Sequence, residues 1–285
     1  MKKITVNDLK NIINLFKDPD DKIFKLIEPQ ILDNGSELFN YLKNEFDISD
    51  NFLVKKRLLS LIDSIYYSLE PEEAFRNIPS NEHGDIDLEE ATLMLSVFGY
   101  PEMKKDIYKK KLDEMSFNIK QKLKKVSESS EVINIINDYL FNEEGFRGNR
   151  EDYFNPDNSY LNTIIDKRRG IPISLSAVYL FIAKRLGLPF FGVSMPGHFI
   201  VKYKDEEKEV YIDPFHKGKI LTKQDCITFL VFSGYGFNEK YLEVSTNKEI
   251  ILRMIRNLLL IYQEKGDNKR HSKLKDILSI IETNY

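Results

Sequence analysis

The residues best suited to chemistry lie between positions 145 and 221. A helix start at Ile171–Ser174, a histidine in PGHF (His198) and an aspartate in YIDPF (Asp213) follow one another there. This is the order taken in thiol hydrolases by a nucleophile, a base that moves its proton and an acid that holds the base. The nucleophile is missing, because the helix start offers Pro172, Ser174 and Ser176 but no cysteine. Cys226 is the single cysteine of the chain and comes after both partners. A lone cysteine reads as a small core residue. His216, three residues after Asp213, adds a second imidazole. Two histidines and one carboxylate could bind a divalent ion if the chain brought both rings together. On sequence alone no metal and no cofactor is assigned.

Positioning these groups requires particular elements. Asn158 or Ser159 can cap a helix through Leu161, Ile164 and Ile165, with Gly170 expected to end it. Pro172 suits the first position of the next helix, where its missing N–H costs nothing. That helix carries Leu175, Val178, Tyr179, Ile182 and Leu186 before stopping at Gly187. It is apolar on most sides, as a helix clasped between layers should be. Phe190–Val193, His198–Tyr203 and Glu209–Asp213 read as strands. The charged stretch Lys204–Lys208 makes the last two an antiparallel hairpin, with His198 and Asp213 at the same end. Short elements follow to about Val244, and helices at Glu249–Gln263 and His271–Thr283 turn at Gly266 and Asp267.

The first 70 residues read as helices. Leu9, Ile12, Ile13 and Phe16 share one face, and Ile23, Leu26, Ile27 and Ile31 repeat the spacing. Gly35 is expected to supply a left-handed cap, Ser36 to open the next helix, and Phe52–Leu69 to form another that stops before Pro71. The polar run IPSNEHGD at 78–85 is a candidate boundary. Asp87 and Glu90 fit a capping box, followed by helices at about Glu102–Lys124 and Glu131–Phe141 with SESSE between them.

Composition narrows the function classes. Among 285 residues, 42 % are hydrophobic and 31 % charged, enough for a real core. The 45 acidic and 42 basic residues nearly cancel, so the broad basic face of a duplex-binding protein is lacking. The lysine-dense run at 104–115 carries acids at helical spacing and reads as a solvated face. No apolar segment follows Met1-Lys2-Lys3, and the run Ala177–Ala183 falls far short of the ~20 residues a membrane span needs. The chain is expected to be soluble and cytoplasmic, with neither nucleic acid nor membrane as a partner.

GFRGN at 145–149, NSYLN at 158–162, RRGIPISLS at 168–176, RLGLP at 185–189, GVSMPGHFIVKY at 192–203 and YIDPF at 211–215 together resemble the SirB family. That family is a branch of the transglutaminase-like superfamily, related to papain-type folds. The likeness runs from about Asp87 to Val244. It implies an α+β, mostly helical fold whose central helix packs on a small antiparallel sheet. The N-terminal segment loosely resembles HEAT repeats, and the tail resembles a tetratricopeptide helix pair, departing from it at His271. The implied domains are 1–78, 79–245 and 246–285.

In the superfamily the nucleophile is a cysteine on the first turn of the central helix. Counting back from Gly187 places it on Pro172, while His198 and Asp213 match the other two triad positions. Ser174 and Ser176 are the candidate substitutes. Ser174 reads otherwise as a hydroxyl serving first-turn backbone, and Ser176 as a small buried residue bonding the preceding turn. Arg147, Asn149, Asn158, Asn162, Arg168 and Arg169 suggest a polar ligand pocket bordering Pro172, walled by Tyr153 and Tyr160. The reading is a non-catalytic scaffold that binds a protein, peptide or small acidic ligand. In eukaryotic relatives the domain occurs beside ubiquitin-ligase components, which points to protein partners by analogy. The alternative is a hydrolase or acyltransferase using Ser174 or Ser176 with His198 and Asp213.

Overall fold

Helical spacing at the N-terminus becomes helix in the structure, a computed structural model that describes residues 4–68, 71–80, 84–101, 103–124, 126 and 128–285. The Met1-Lys2-Lys3 start, the middle of the 78–85 boundary and the first residue of SESSE lie outside the described residues. Two compact units emerge, one from Met1–Ala74 with Val97–Glu102 and the other from Phe75–Ser96 with Met103–Tyr285.

In the first unit, α1 (Val6–Ile12) runs on as a 3₁₀ turn, followed by α2 (Asp21–Leu32), α3 (Gly35–Ile48) and α4 (Phe52–Ser68). Leu9, Phe16, Ile31, Leu38, Leu42, Leu58 and Leu61 form its core. Arg57 is buried in it, donating to the Phe16 and Asp18 carbonyls at 3.1 and 2.6 Å and pairing with Asp21. Gly35 corrects an expectation. It is the first residue of α3, not a left-handed cap. Its lack of a side chain serves packing, since a Cβ there would stand 2.6 Å from Ile65 of α4.

Helix α5 (Pro71–Arg76) passes from the first unit's residues to the second's after Ala74, α6 (Leu88–Gly99) belongs to the second unit up to Ser96, and α7 (Lys105–Lys122) and α8 (Ser129–Asn137) follow in the second unit. Asp87 accepts from the Glu90 N–H at 2.9 Å, as one half of the expected box. The Glu90 carboxylate goes instead to Lys105 and Lys109. Helix α8 widens into a π-helical turn at Asp138–Glu143. Next come β1 (Arg147–Gly148), α9 (Leu161–Lys167), β2 (Arg169–Gly170) and α10 (Pro172–Leu186), with β1 and β2 parallel. Helix α9 ends at Lys167, short of the expected Gly170, because Arg168 itself takes the left-handed conformation at φ 56°. That backbone is uncommon for a side-chain-bearing residue. It is held by the guanidinium, which bonds Ile165 O and Glu144 and lies 4.8 Å from the Phe146 ring centroid.

Helix α10 is buried at every position from Pro172 to Tyr179. It packs against a four-stranded antiparallel sheet, β3 (Phe190–Val193), β4 (Ile200–Lys204), β5 (Glu209–Asp213) and β6 (Lys219–Leu221), in that spatial order. The expected hairpin forms, with Val201 opposite Ile212 and Lys204 opposite Glu209. Strand β6, and α11 (Lys223–Phe232) after it, fall where the sequence showed only short elements. Helices α12 (Asn247–Glu264) and α13 (Asn268–Asn284) pack on each other. They join the core through a Tyr160–Tyr262 hydroxyl pair at 2.6 Å. The fold is α+β and mostly helical. No helix among the described residues is long and apolar enough to cross a membrane.

Candidate functional site

The site is assembled at one end of the β4–β5 hairpin. His198 lies two residues before β4, in a turn whose Gly197 has φ +74°. Glycine is needed there twice over: the backbone is left-handed, and a Cβ would stand 2.9 Å from the Tyr235 ring. Asp213 ends β5 and caps the 3₁₀ turn Pro214–His216, its Oδ1 accepting from the Phe215 and His216 N–H groups at 3.0 and 3.2 Å. With one oxygen fixed this way, the other is aimed at the imidazoles. Oδ2 lies 2.8 Å from His198 Nε2 and 2.7 Å from His216 Nδ1.

Burial pushes the Asp213 carboxyl toward neutrality. The hydrogen bonds and charge of His198, and then of His216, outweigh it and hold the carboxyl below its ordinary value. His198 and Asp213 are buried, while the His216 side chain is 42 % exposed. Arg253 of α12 clamps the turn from behind. Its Nη1 donates to Ser194 Oγ at 2.5 Å and to Met195 O at 2.8 Å, and its Nη2 donates to His198 O at 3.0 Å.

A cavity of about 620 Å³ opens beside the imidazole, with Pro172, His198, Asp213, Phe215, Cys226 and Phe229 in its wall. Pro172, the first residue of α10, therefore faces the same space as the His198–Asp213 pair. The serines do not. Ser174 is fully buried, receives the Ile171 N–H at 3.0 Å and donates to Asn158 O at 2.6 Å. Ser176 is equally buried, and its hydroxyl has no hydrogen-bond partner, contrary to the expected bond to the preceding turn. Neither lines the cavity. Cys226 does, but it belongs to an apolar cluster with Val193, Ile200 and Leu230, and burial pushes its thiol up to about 11. A neutral, buried thiol is a poor nucleophile.

The expected polar pocket is not brought together. Of its members only Tyr153 and Pro172 line the cavity. Asn149 donates to Asn158 Oδ1 at 2.9 Å, and Asn158 donates to the Asp152 and Tyr153 carbonyls, so this pair ties down a loop. Tyr160 is buried against Tyr262 and is no pocket wall. Asn162 is buried as well, Arg147 is exposed on β1, and Arg169 reaches Glu151 at 3.3 Å. The residues the sequence did not single out are Phe215, Phe229 and Arg253. The position of Phe215 directly after the DP turn was the only available signal. Elsewhere, a hollow of about 550 Å³ is lined by Glu89, Glu90, Lys109, Asp113 and Arg185. Its charges are consumed in pairs with one another.

A central helix starting at a cavity, with a histidine just before one strand and an aspartate ending the next across from it, is the layout of a transglutaminase-type core. The family model described as transglutaminase-like superfamily matches residues 106–256, and the chain belongs to that superfamily. Within it, the likeness to the SirB family holds. A UPF0162 protein of Xylella fastidiosa is 27 % identical over 214 residues, covering 73 % of this chain and 76 % of that one. Another, from Vibrio cholerae, is 34 % identical over 93 residues, covering 32 % and 34 %. Mouse F-box only protein 21 is 35 % identical over 159 residues, 53 % of this chain, and the match spans only 25 % of the mouse protein. No solved structure matches.

Proposed function

We propose that this protein is a non-catalytic member of the superfamily whose His198 cavity binds a peptide or a small acidic ligand, acting as a scaffold or regulatory module. One observation carries the reading. Pro172 stands at the first position of α10, on the cavity shared with His198 and Asp213, where the superfamily's chemistry asks for a thiol. Among the described residues no hydroxyl or thiol hydrogen-bonds the His198 ring, whose one polar partner is Asp213. The cavity wall suits binding: Phe215 and Phe229 supply apolar surface, with Tyr153 edge-on to Phe215 at 6.1 Å between ring centroids. In the mouse relative the matched stretch is a quarter of a longer chain, consistent with a core used as one module among others.

The test joins a negative to a positive. Chromogenic amide and ester substrates are expected to give no turnover that depends on His198, and turnover abolished by His198→Ala refutes the proposal. Selection from a random peptide library is expected to yield binders that lose at least ~10-fold in affinity, or ~1.4 kcal/mol, on Phe215→Ala. Binders indifferent to that change place recognition away from the cavity and refute it too.

A further inference from the structure

Asp213, His198 and His216 make an arrangement that the binding reading leaves unused. The three side chains each offer one donor atom, and these atoms lie within 4.8 Å of one another. We infer that His198, Asp213 and His216 form a site for a divalent first-row transition ion of the zinc class. The inference does not depend on what the cavity binds or on whether the protein turns anything over.

Geometry argues for it first. Nε2 of His198 and Nδ1 of His216 converge on the same oxygen, Asp213 Oδ2, at 2.8 and 2.7 Å. With metal–ligand bonds of ~2.0–2.2 Å, donors at that spacing subtend roughly 75–90° at an ion. Each histidine–aspartate pair thus suits cis positions of a two-histidine, one-carboxylate site, and a small shift of His216 would bring the two ring nitrogens, within 4.8 Å of each other, onto the same ion. An ion replaces the two ring protons that now share one acceptor. No covalent or redox step is involved.

The surrounding shell argues second. Asp213 is aimed by two backbone N–H groups on its other oxygen, so Oδ2 is held in place before any ion arrives. The backbone of His198 is held by Arg253 through its carbonyl. Preset ligands of this kind are what outer-shell contacts provide at metal sites. Only His216 has to adjust, and it is half exposed, with its ring centroid 5.9 Å from that of His198. All three residues line the cavity, so an ion there would be reachable from it and could accept a carboxylate oxygen from a ligand. Donor identity sets the ion: imidazole nitrogens select zinc, cobalt or nickel over magnesium or calcium, which prefer all-oxygen shells.

The test uses full-length, tag-free protein stripped with a chelator, titrated with Zn²⁺ by calorimetry and with Co²⁺ by visible absorption. One equivalent is expected to bind, with cobalt bands of low-symmetry coordination, and His216→Ala is expected to weaken binding at least ~100-fold. His216 is exposed enough that this variant should fold, which its circular dichroism and melting temperature check. His271→Ala, remote on α13, is expected to change nothing. Absence of stoichiometric binding below ~100 μM, a loss smaller than ~10-fold in His216→Ala, or a loss in His271→Ala overturns the site.

Discussion

Replacing Pro172 by cysteine puts a thiol where the cavity and the imidazole would activate one. The first turn of α10 leaves backbone N–H groups pointing at that position, and His198 lines the same cavity. A free thiol of pKa ~8.5 is about 3 % ionised at pH 7, whereas helix starts beside histidine bring thiols to ~3.5–7.5. At pKa ~6.5 the ionised fraction rises about 25-fold. Nucleophilicity falls with basicity, with a Brønsted slope of ~0.4–0.5, which removes about 8-fold and leaves only ~3-fold in rate. The midpoint of the pH–rate curve is therefore the informative quantity, not the rate at one pH. Iodoacetamide labelling followed by mass spectrometry reads it cleanly, because buried Cys226, with its thiol at about 11, stays silent. Pro172→Cys should alkylate with a midpoint at or below pH ~7, and adding His198→Ala should raise that midpoint by about a unit or more. A midpoint at ~8.5 that ignores His198→Ala would show that position 172 is not the nucleophile's place, and the proposed function would lose its support. Stability should change little, since losing a proline at a compatible helix start costs about 0.4–1 kcal/mol.

Arg253→Ala strands the His198 carbonyl and the Ser194 hydroxyl and leaves the Met195 carbonyl only the His198 N–H at 3.2 Å, and should cost ~2–4 kcal/mol by urea unfolding. Arg253→Lys should recover only part, since one ammonium cannot span the three acceptors. Ser174→Ala leaves the Ile171 N–H only its long bond to Asn158 O at 3.4 Å and should cost ~1–2 kcal/mol, whereas Ser176→Ala removes a hydroxyl that already lacks a partner and should be neutral or stabilising. Asp213 titrates below its ordinary value when folded, so its contribution is full above pH ~4 and is lost as pH falls through the lowered value. The melting-temperature gap between wild type and Asp213→Asn should accordingly be largest above pH ~4 and close toward pH 2; a gap independent of pH would contradict the pairing.

What could be read from sequence was whatever depends on local periodicity and on one hairpin. The apolar surround of α10 marked the central helix, and the charged turn after Tyr203 fixed the register that brings His198 to Asp213. Readings that rested on composition fared worse. An excess of asparagine between 149 and 162 suggested a ligand pocket, yet a polar side chain looks the same in sequence whether it faces a ligand or ties down a loop, as Asn149 and Asn158 do. Gly35 looked like a cap because glycine commonly ends helices, but its cause is Ile65, thirty positions away. Arg253 is further still from the turn it clamps, and nothing within α12 marks it as different from Arg256.

The His198–Asp213 pair has a purpose that needs no nucleophile. Asp213 closes the hairpin, caps the 214–216 turn through two backbone N–H groups and satisfies two imidazoles at once. Removing it would leave four donors short of an acceptor, three of them at buried or half-buried positions, and each unsatisfied buried donor costs ~1–3 kcal/mol. Folding alone would therefore hold the pair in place, with or without a thiol beside it, so its geometry is no argument for turnover. Pro172 fits the same logic. Its fixed φ and missing N–H suit the first position of α10, so under the proposed function it would keep the cavity's shape without supplying a reactive atom. On that proposed reading, a cavity kept in shape without such an atom would hold a ligand rather than transform one.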